Sequence, residues 1–165
     1  KLLQVAHRSI ERWITIFERL YICYRIPPFE GKKIRAVRKE KKLYFWDWSR
    51  VPDRGARFEN MVASHLLKYC QFVEDTEGHN MELRFIRDTD KREIDFVVLR
   101  DGRPEFAVEC KSGDRNVSPA CKYFRERTDI PRFYQVHLGT KEYGNETVAT
   151  RVLPFSTFCR EMEMP

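Results

Sequence analysis

Several patterns that would announce a chemistry are missing from these 165 residues. The five cysteines (Cys23, Cys70, Cys110, Cys121, Cys159) form no CxxC pair and their count is odd. That excludes a disulfide framework and a zinc knuckle, and leaves small buried thiols in a reducing compartment. The histidines (His7, His65, His79, His137) are scattered, with no HExxH. His65 falls on the apolar stripe of a helical pattern and reads as a core or edge residue. No GxxxxGK[ST] occurs; Gly31-Lys32-Lys33 lacks the upstream glycine and the Ser/Thr, so no ATP site is expected within this chain. No apolar run approaches a membrane span, no signal-peptide pattern opens the chain, and there are no repeats or low-complexity linkers. The expectation is a cytoplasmic protein with no membrane partner, of one domain or one domain with a small module attached.

What is present is enough for a core: 42% of residues are hydrophobic and 13% aromatic. The formal net charge is +6, which attracts polyanions, DNA first among them, and equally suits an ordinary soluble domain. The first residues already read as helix, which suggests a piece of a longer protein. Homo-oligomerisation is left open.

Residues 1 to about 20 carry Ile10, Trp13, Ile14, Phe17 and Leu20 at helical spacing, with Ser9 as the expected N-cap. YICYRI alternates like a strand and Pro27-Pro28 ends it. GKKIRAVRKEKKLYFWDW then reads as a basic β-hairpin, Ile34–Val37 against Leu43–Trp48. A helix followed by a basic ribbon is the second half of a winged helix, so residues 1–50 are assigned to a partial winged-helix-like segment. Lys32, Lys33, Arg35, Arg38, Lys39, Lys41 and Lys42, interleaved with Tyr44, Phe45 and Trp46, suit a phosphate backbone. A solvated hairpin face with a buried aromatic edge explains them as well.

Val51-Pro52-Asp53 marks a break, and 51–165 is assigned to a second domain. From Arg54 an amphipathic helix places Phe58, Met61, Val62, His65, Leu66 and Tyr69 on one face. Strands follow near Glu82–Arg87, Arg92–Arg100 and Glu105–Lys111. Next come a helix capped by Ser118-Pro119 and running to about Arg127, the strand PRFYQVHL, a further strand TVATRVL and a closing helix. Three consecutive strands among helices predict an α/β fold with a mixed β-sheet flanked by helices.

The informative stretch is EIDFVVLRDGRPEFAVECKSG. Alternation puts Glu109 and Lys111 on one strand face and Cys110 on the other. A three-residue turn at Asp101–Arg103 would set Arg100 against Pro104, Asp95 opposite Glu109 and Glu93 opposite Lys111. A turn of two or four residues would put Asp95 and Glu109 on opposite faces. Facing carboxylates repel, and a divalent cation would turn that repulsion into binding. Glu, Asp and Lys also alternate on solvent-facing hairpins for no further reason.

GARFENMVASHLL, REIDFVV and FAVECKSG are similar to the Glu, Asp and Glu-x-Lys motifs of the PD-(D/E)XK nuclease superfamily. With SIERWITIFERLYICYRIPPF and LYFWDWS, the chain also resembles the C-terminal region of a prokaryotic P-loop ATPase family. There a winged-helix-like segment precedes a Holliday-junction-resolvase-like nuclease fold. The likeness runs from about Ser9 to Lys111, and Ile94 stands where the superfamily name has Pro. It implies a restriction-endonuclease-like domain cutting DNA, with Mg2+ or Mn2+ held by Asp95 and Glu109 and with Glu59 as auxiliary ligand. It also implies that Lys111 orients or activates the attacking water, and that an ATPase domain lies upstream. The alternative is a non-catalytic DNA- or partner-binding module that positions that ATPase.

Overall fold

The computed structural model describes residues 5–30, 40–113, 116–144 and 150–165. Its scaffold is a long helix, α2 (Arg54–Glu77), set by signals at both ends. Asp53 caps the start by accepting from the Ala56 N–H at 2.8 Å, and Gly78 ends the helix in the left-handed conformation at φ 75°. Between these ends Phe58, Val62, Leu66, Tyr69 and Val73 are buried along one face.

That face packs on a mixed sheet whose strands lie in the order β3 (Met81–Arg87), β4 (Glu93–Arg100), β5 (Arg103–Lys111), β6 (Phe133–His137), β7 (Thr150–Pro154). The first two pairings are antiparallel and the last two parallel. The parallel pairing of β5 and β6 needs a crossover, which carries α3 (Pro119–Arg125) to the opposite face of the sheet. A closing helix, α4 (Phe155–Glu161), returns to the α2 side, where Phe155 and Phe158 complete the larger core. Under α3 a smaller core gathers Ile86, Ile94, Val97, Ala107, Phe124 and Phe133. The fold is therefore α/β, a mixed five-stranded sheet with helices on both faces.

The N-terminal part departs from expectation. Helix α1 (His7–Arg19) begins after Ala6 with no side-chain cap, so Ser9 lies inside it. Strand β2 is Lys42–Phe45 and pairs antiparallel with β1 (Cys23–Ile26), Cys23 opposite Phe45 and Ile26 opposite Lys42. The predicted strand Ile34–Val37 lies outside the described residues. Trp48 belongs not to a strand but to a single 3-10 turn, Trp48–Arg50. Tyr24, Ile26 and Tyr44 join the same core as α2, and the Phe29 N–H donates to the Phe85 carbonyl at β3. Arg25 ties α1 to this ribbon through Glu11 and Glu18.

Two irregularities shape the central strands. The β4–β5 turn has two residues, Asp101 and Gly102, with Arg100 opposite Arg103 rather than Pro104. Beyond it, Leu99 faces Pro104 but Val98 faces Phe106, so Glu105 is an extra residue, a β-bulge. The shorter turn moves the register by one and the bulge moves it back. Phe96 faces Val108, the register in which Asp95 and Glu109 come next. A second shift, in the β3–β4 pairing, leaves one more residue on β4 than on β3 between Ile94 and Val97. Asp95 sits in that irregular stretch.

Candidate functional site

Where β4 begins and β5 ends, a cleft of about 470 Å³ is lined by Glu59, Glu93, Asp95, Glu109 and Lys111. The sequence picked four of these; Glu93 was outside its choice. Glu59 arrives from the second turn of α2, Glu93 and Asp95 from the start of β4, Glu109 and Lys111 from the end of β5. Pairing near Asp95 is no longer simple backbone pairing, because the Cys110 N–H donates to Asp95 Oδ2 at 2.9 Å.

The remaining member of the cluster is Lys42, which the sequence grouped with the DNA-contacting cations. Its side chain turns inward and is only 14% exposed. The ammonium reaches Glu59 Oε1 at 2.8 Å, Asp95 Oδ1 at 3.3 Å and Glu93 Oε1 in close contact. This inverts the usual strand logic, since Lys42 and Tyr44 point in while Leu43 and Phe45 are exposed. Asn60 on α2 holds the ribbon in this setting: its side chain accepts from the Phe45 N–H and donates to the Phe45 carbonyl, at 2.9 and 2.7 Å. The buried Tyr44 hydroxyl donates to Glu59 Oε1 at 2.7 Å. Of the other predicted DNA-binding residues, Lys41 is exposed, and Lys32, Lys33, Arg35, Arg38 and Lys39 lie outside the described residues.

The electrostatics follow from this crowding. Burial, then the charges of Glu59 and Glu109, push the Asp95 carboxyl up to about 7, against the pull of Lys42 and the Cys110 N–H. Glu109, buried and paired with Lys111, is raised by burial against the Lys111 hydrogen bond and charge. Burial alone would lower the Lys42 ammonium, but Asp95, Glu59 and Glu93 outweigh it and the group is held more firmly charged. Glu93 is also penalised by burial, yet its bonds to Arg87 and Lys42 leave it below the usual carboxylate range.

These are hard oxygen donors of the kind Mg2+ or Mn2+ takes, and the Lys42 ammonium touches three of them at once. Among the described residues no three His, Cys, Asp or Glu side chains gather at metal-ligand spacing. The donor chemistry fits a divalent ion; the present spacing is fitted to a lysine. Beside the cleft, a wider one of about 740 Å³ shares Lys111 and extends to Lys141 and Tyr143.

A family model described as Domain of unknown function (DUF4143) matches residues 54–158. Another, described as Domain of unknown function (DUF8612), matches residues 1–51. No curated protein and no solved structure matches the chain.

Proposed function

Since the chain belongs to the DUF4143 family of domains of unknown function, we propose that its acid–lysine cleft is the site of a metal-dependent phosphodiesterase acting on DNA. The fold would then be of the restriction-endonuclease-like, PD-(D/E)XK type. The observation that carries the reading is the cluster's demand for a cation: three carboxylates from α2 and β4 converge on one ammonium, with Glu109 alongside. Asp95 and Glu109 would hold Mg2+ or Mn2+, with Glu59 auxiliary, and the ion would polarise a phosphodiester and acidify water. Lys111, a third exposed at the cleft mouth and paired with Glu109, holds positive charge where a phosphate would enter. Its ammonium can orient water or offset charge on the phosphate without itself being a ligand. The half-exposed side of the cleft, running past Lys111 toward Lys141, gives a DNA backbone room to approach.

The test is cleavage of supercoiled, linear and branched DNA with Mg2+ or Mn2+. Asp95→Asn and Glu109→Gln should each lower cleavage by roughly 10²-fold or more, and Lys111→Ala should do so while metal binding persists. Cleavage unchanged in all three variants would remove the reading.

A second reading is favoured by one observation. Helix α1 has no buried residue and exposes Ile10, Trp13, Ile16 and Phe17. In a non-catalytic module that positions an upstream ATPase, α1 and the β1–β2 ribbon, as a winged-helix-like segment, would supply the docking face. Metal-independent DNA or partner binding with no cleavage is its signature.

A further inference from the structure

We infer that Lys42 is the resident cation of this cluster, and that a divalent ion can load only by exchanging with it. The inference rests on the metal-dependent reading above and adds a residue to it. Lys42 belongs to the segment matched by one family model, whereas every carboxylate it touches belongs to the segment matched by the other. The ribbon that carries it is seated by Asn60 and Tyr44, so the ammonium is delivered by tertiary packing rather than by a side chain swinging freely in solvent.

Exchange follows from the oxygen atoms in use. Lys42 takes Glu59 Oε1 and Asp95 Oδ1, and the other Asp95 oxygen already accepts from the Cys110 N–H. A metal entering among Glu59, Asp95 and Glu109 competes for two oxygens, Glu59 Oε1 and Asp95 Oδ1, that the ammonium now holds. It would also lie within a few ångströms of a fixed positive charge, in a cleft where water screens poorly. Competition for those two oxygens and the repulsion both favour exchange over joint occupancy. The other nearby cations are differently committed, Lys111 to Glu109 and Arg87 to Glu93. Lys42 is therefore the one whose departure opens the seat. Once it leaves, the same carboxylates lose one positive charge and gain two.

Two measurements on the full chain test this. In the first, wild-type protein is labelled with an amine-acylating reagent, with and without Mn2+, and modification is read at each lysine by mass spectrometry. Lys42 should be protected without metal and become several-fold more reactive at saturating Mn2+, while Lys68 and Lys122 stay constant. In the second, Mn2+ is titrated calorimetrically into wild type, Lys42→Gln, Lys42→Arg and Asp95→Asn, each checked for a cooperative thermal melt. Removing the competing charge in Lys42→Gln should tighten Mn2+ binding by about tenfold. Lys42→Arg should show no gain, and Asp95→Asn should lose binding. If wild type binds Mn2+ in an Asp95-dependent way but Lys42 labelling does not change, the exchange is overturned and the metal site stands. Equal or weaker binding by a folded Lys42→Gln has the same meaning. If neither wild type nor Lys42→Gln binds Mn2+, the metal-dependent reading falls and the exchange with it.

Discussion

Asp88 shows how one side chain can organise the approach to the site. It sits in the turn between β3 and β4 and is 4% exposed. It accepts from the backbone N–H groups of Asp90 and Arg92, each at 2.9 Å, and from Arg92 Nε at 2.7 Å. Burial alone would raise its carboxyl, but the Arg92 backbone and guanidinium bonds outweigh that and hold it below the ordinary value. A carboxyl with a depressed folded-state pKa stabilises the fold above its unfolded value, and the contribution disappears as pH falls through the folded one. Asp88→Asn should therefore cost about 1–2 kcal/mol at pH 7. In denaturant melts across pH 2 to 7, wild type and variant should converge at the acid end. A gap that stayed constant with pH would show that the charge contributes nothing.

At the scale of the element, the β4–β5 hairpin decides where Glu109 and Lys111 emerge. Asp101 and Gly102 both have positive φ, 51° and 74°, as a tight two-residue turn between twisted strands requires. The Asp101 carboxylate secures the turn by accepting from the Asn80 N–H and pairing with His79. A Cβ on Gly102 would meet nothing within 4 Å, so a side chain there is opposed by backbone conformation alone. Gly102→Val should destabilise by roughly 1–2 kcal/mol in urea unfolding, with the proposed Mn2+ affinity of the cleft retained. A drop in metal affinity in the folded variant would mean that the bulge at Glu105 does not hold the register independently of the turn.

Over the whole molecule, the net charge of +6 is unevenly written, with a basic run from Lys32 to Lys42 against an acidic cleft. If that run lies along DNA, replacing Lys32, Lys33, Arg35 and Lys39 with Gln should weaken binding without sequence preference. It should also flatten the salt dependence by about 0.9 for each phosphate no longer neutralised. Unchanged affinity and slope would make the run an ordinary solvated face. Among the described residues no helix is long and apolar enough to cross a membrane. The exposed apolar residues of α1 are too few and too interrupted by Arg8, Glu11, Arg12 and Glu18 for that role.

The order of elements from Arg54 onward was legible in the sequence because each signal is local. Apolar spacing marked α2, alternation and the Asp-Gly pair marked β4 and β5, and Ser118-Pro119 marked the start of α3. Even there the Ser118 side chain makes no cap bond, and its N–H turns to Gln135. The gathering of Glu59, Asp95, Glu109 and Lys111 around one cleft was readable only through an assumed turn, and the structure reaches that register by a shorter turn and a bulge that cancel. Bulges leave no periodic trace, since one extra residue looks like any other. Lys42 was out of reach for a different reason. Its neighbours make it one cation in a basic run, and only the seating of the β1–β2 ribbon on α2, through Asn60 and Tyr44, turns it toward the carboxylates of α2 and β4. Local pattern determined which segments became helix and strand. Nonlocal pairing decided which charge the acidic cluster keeps.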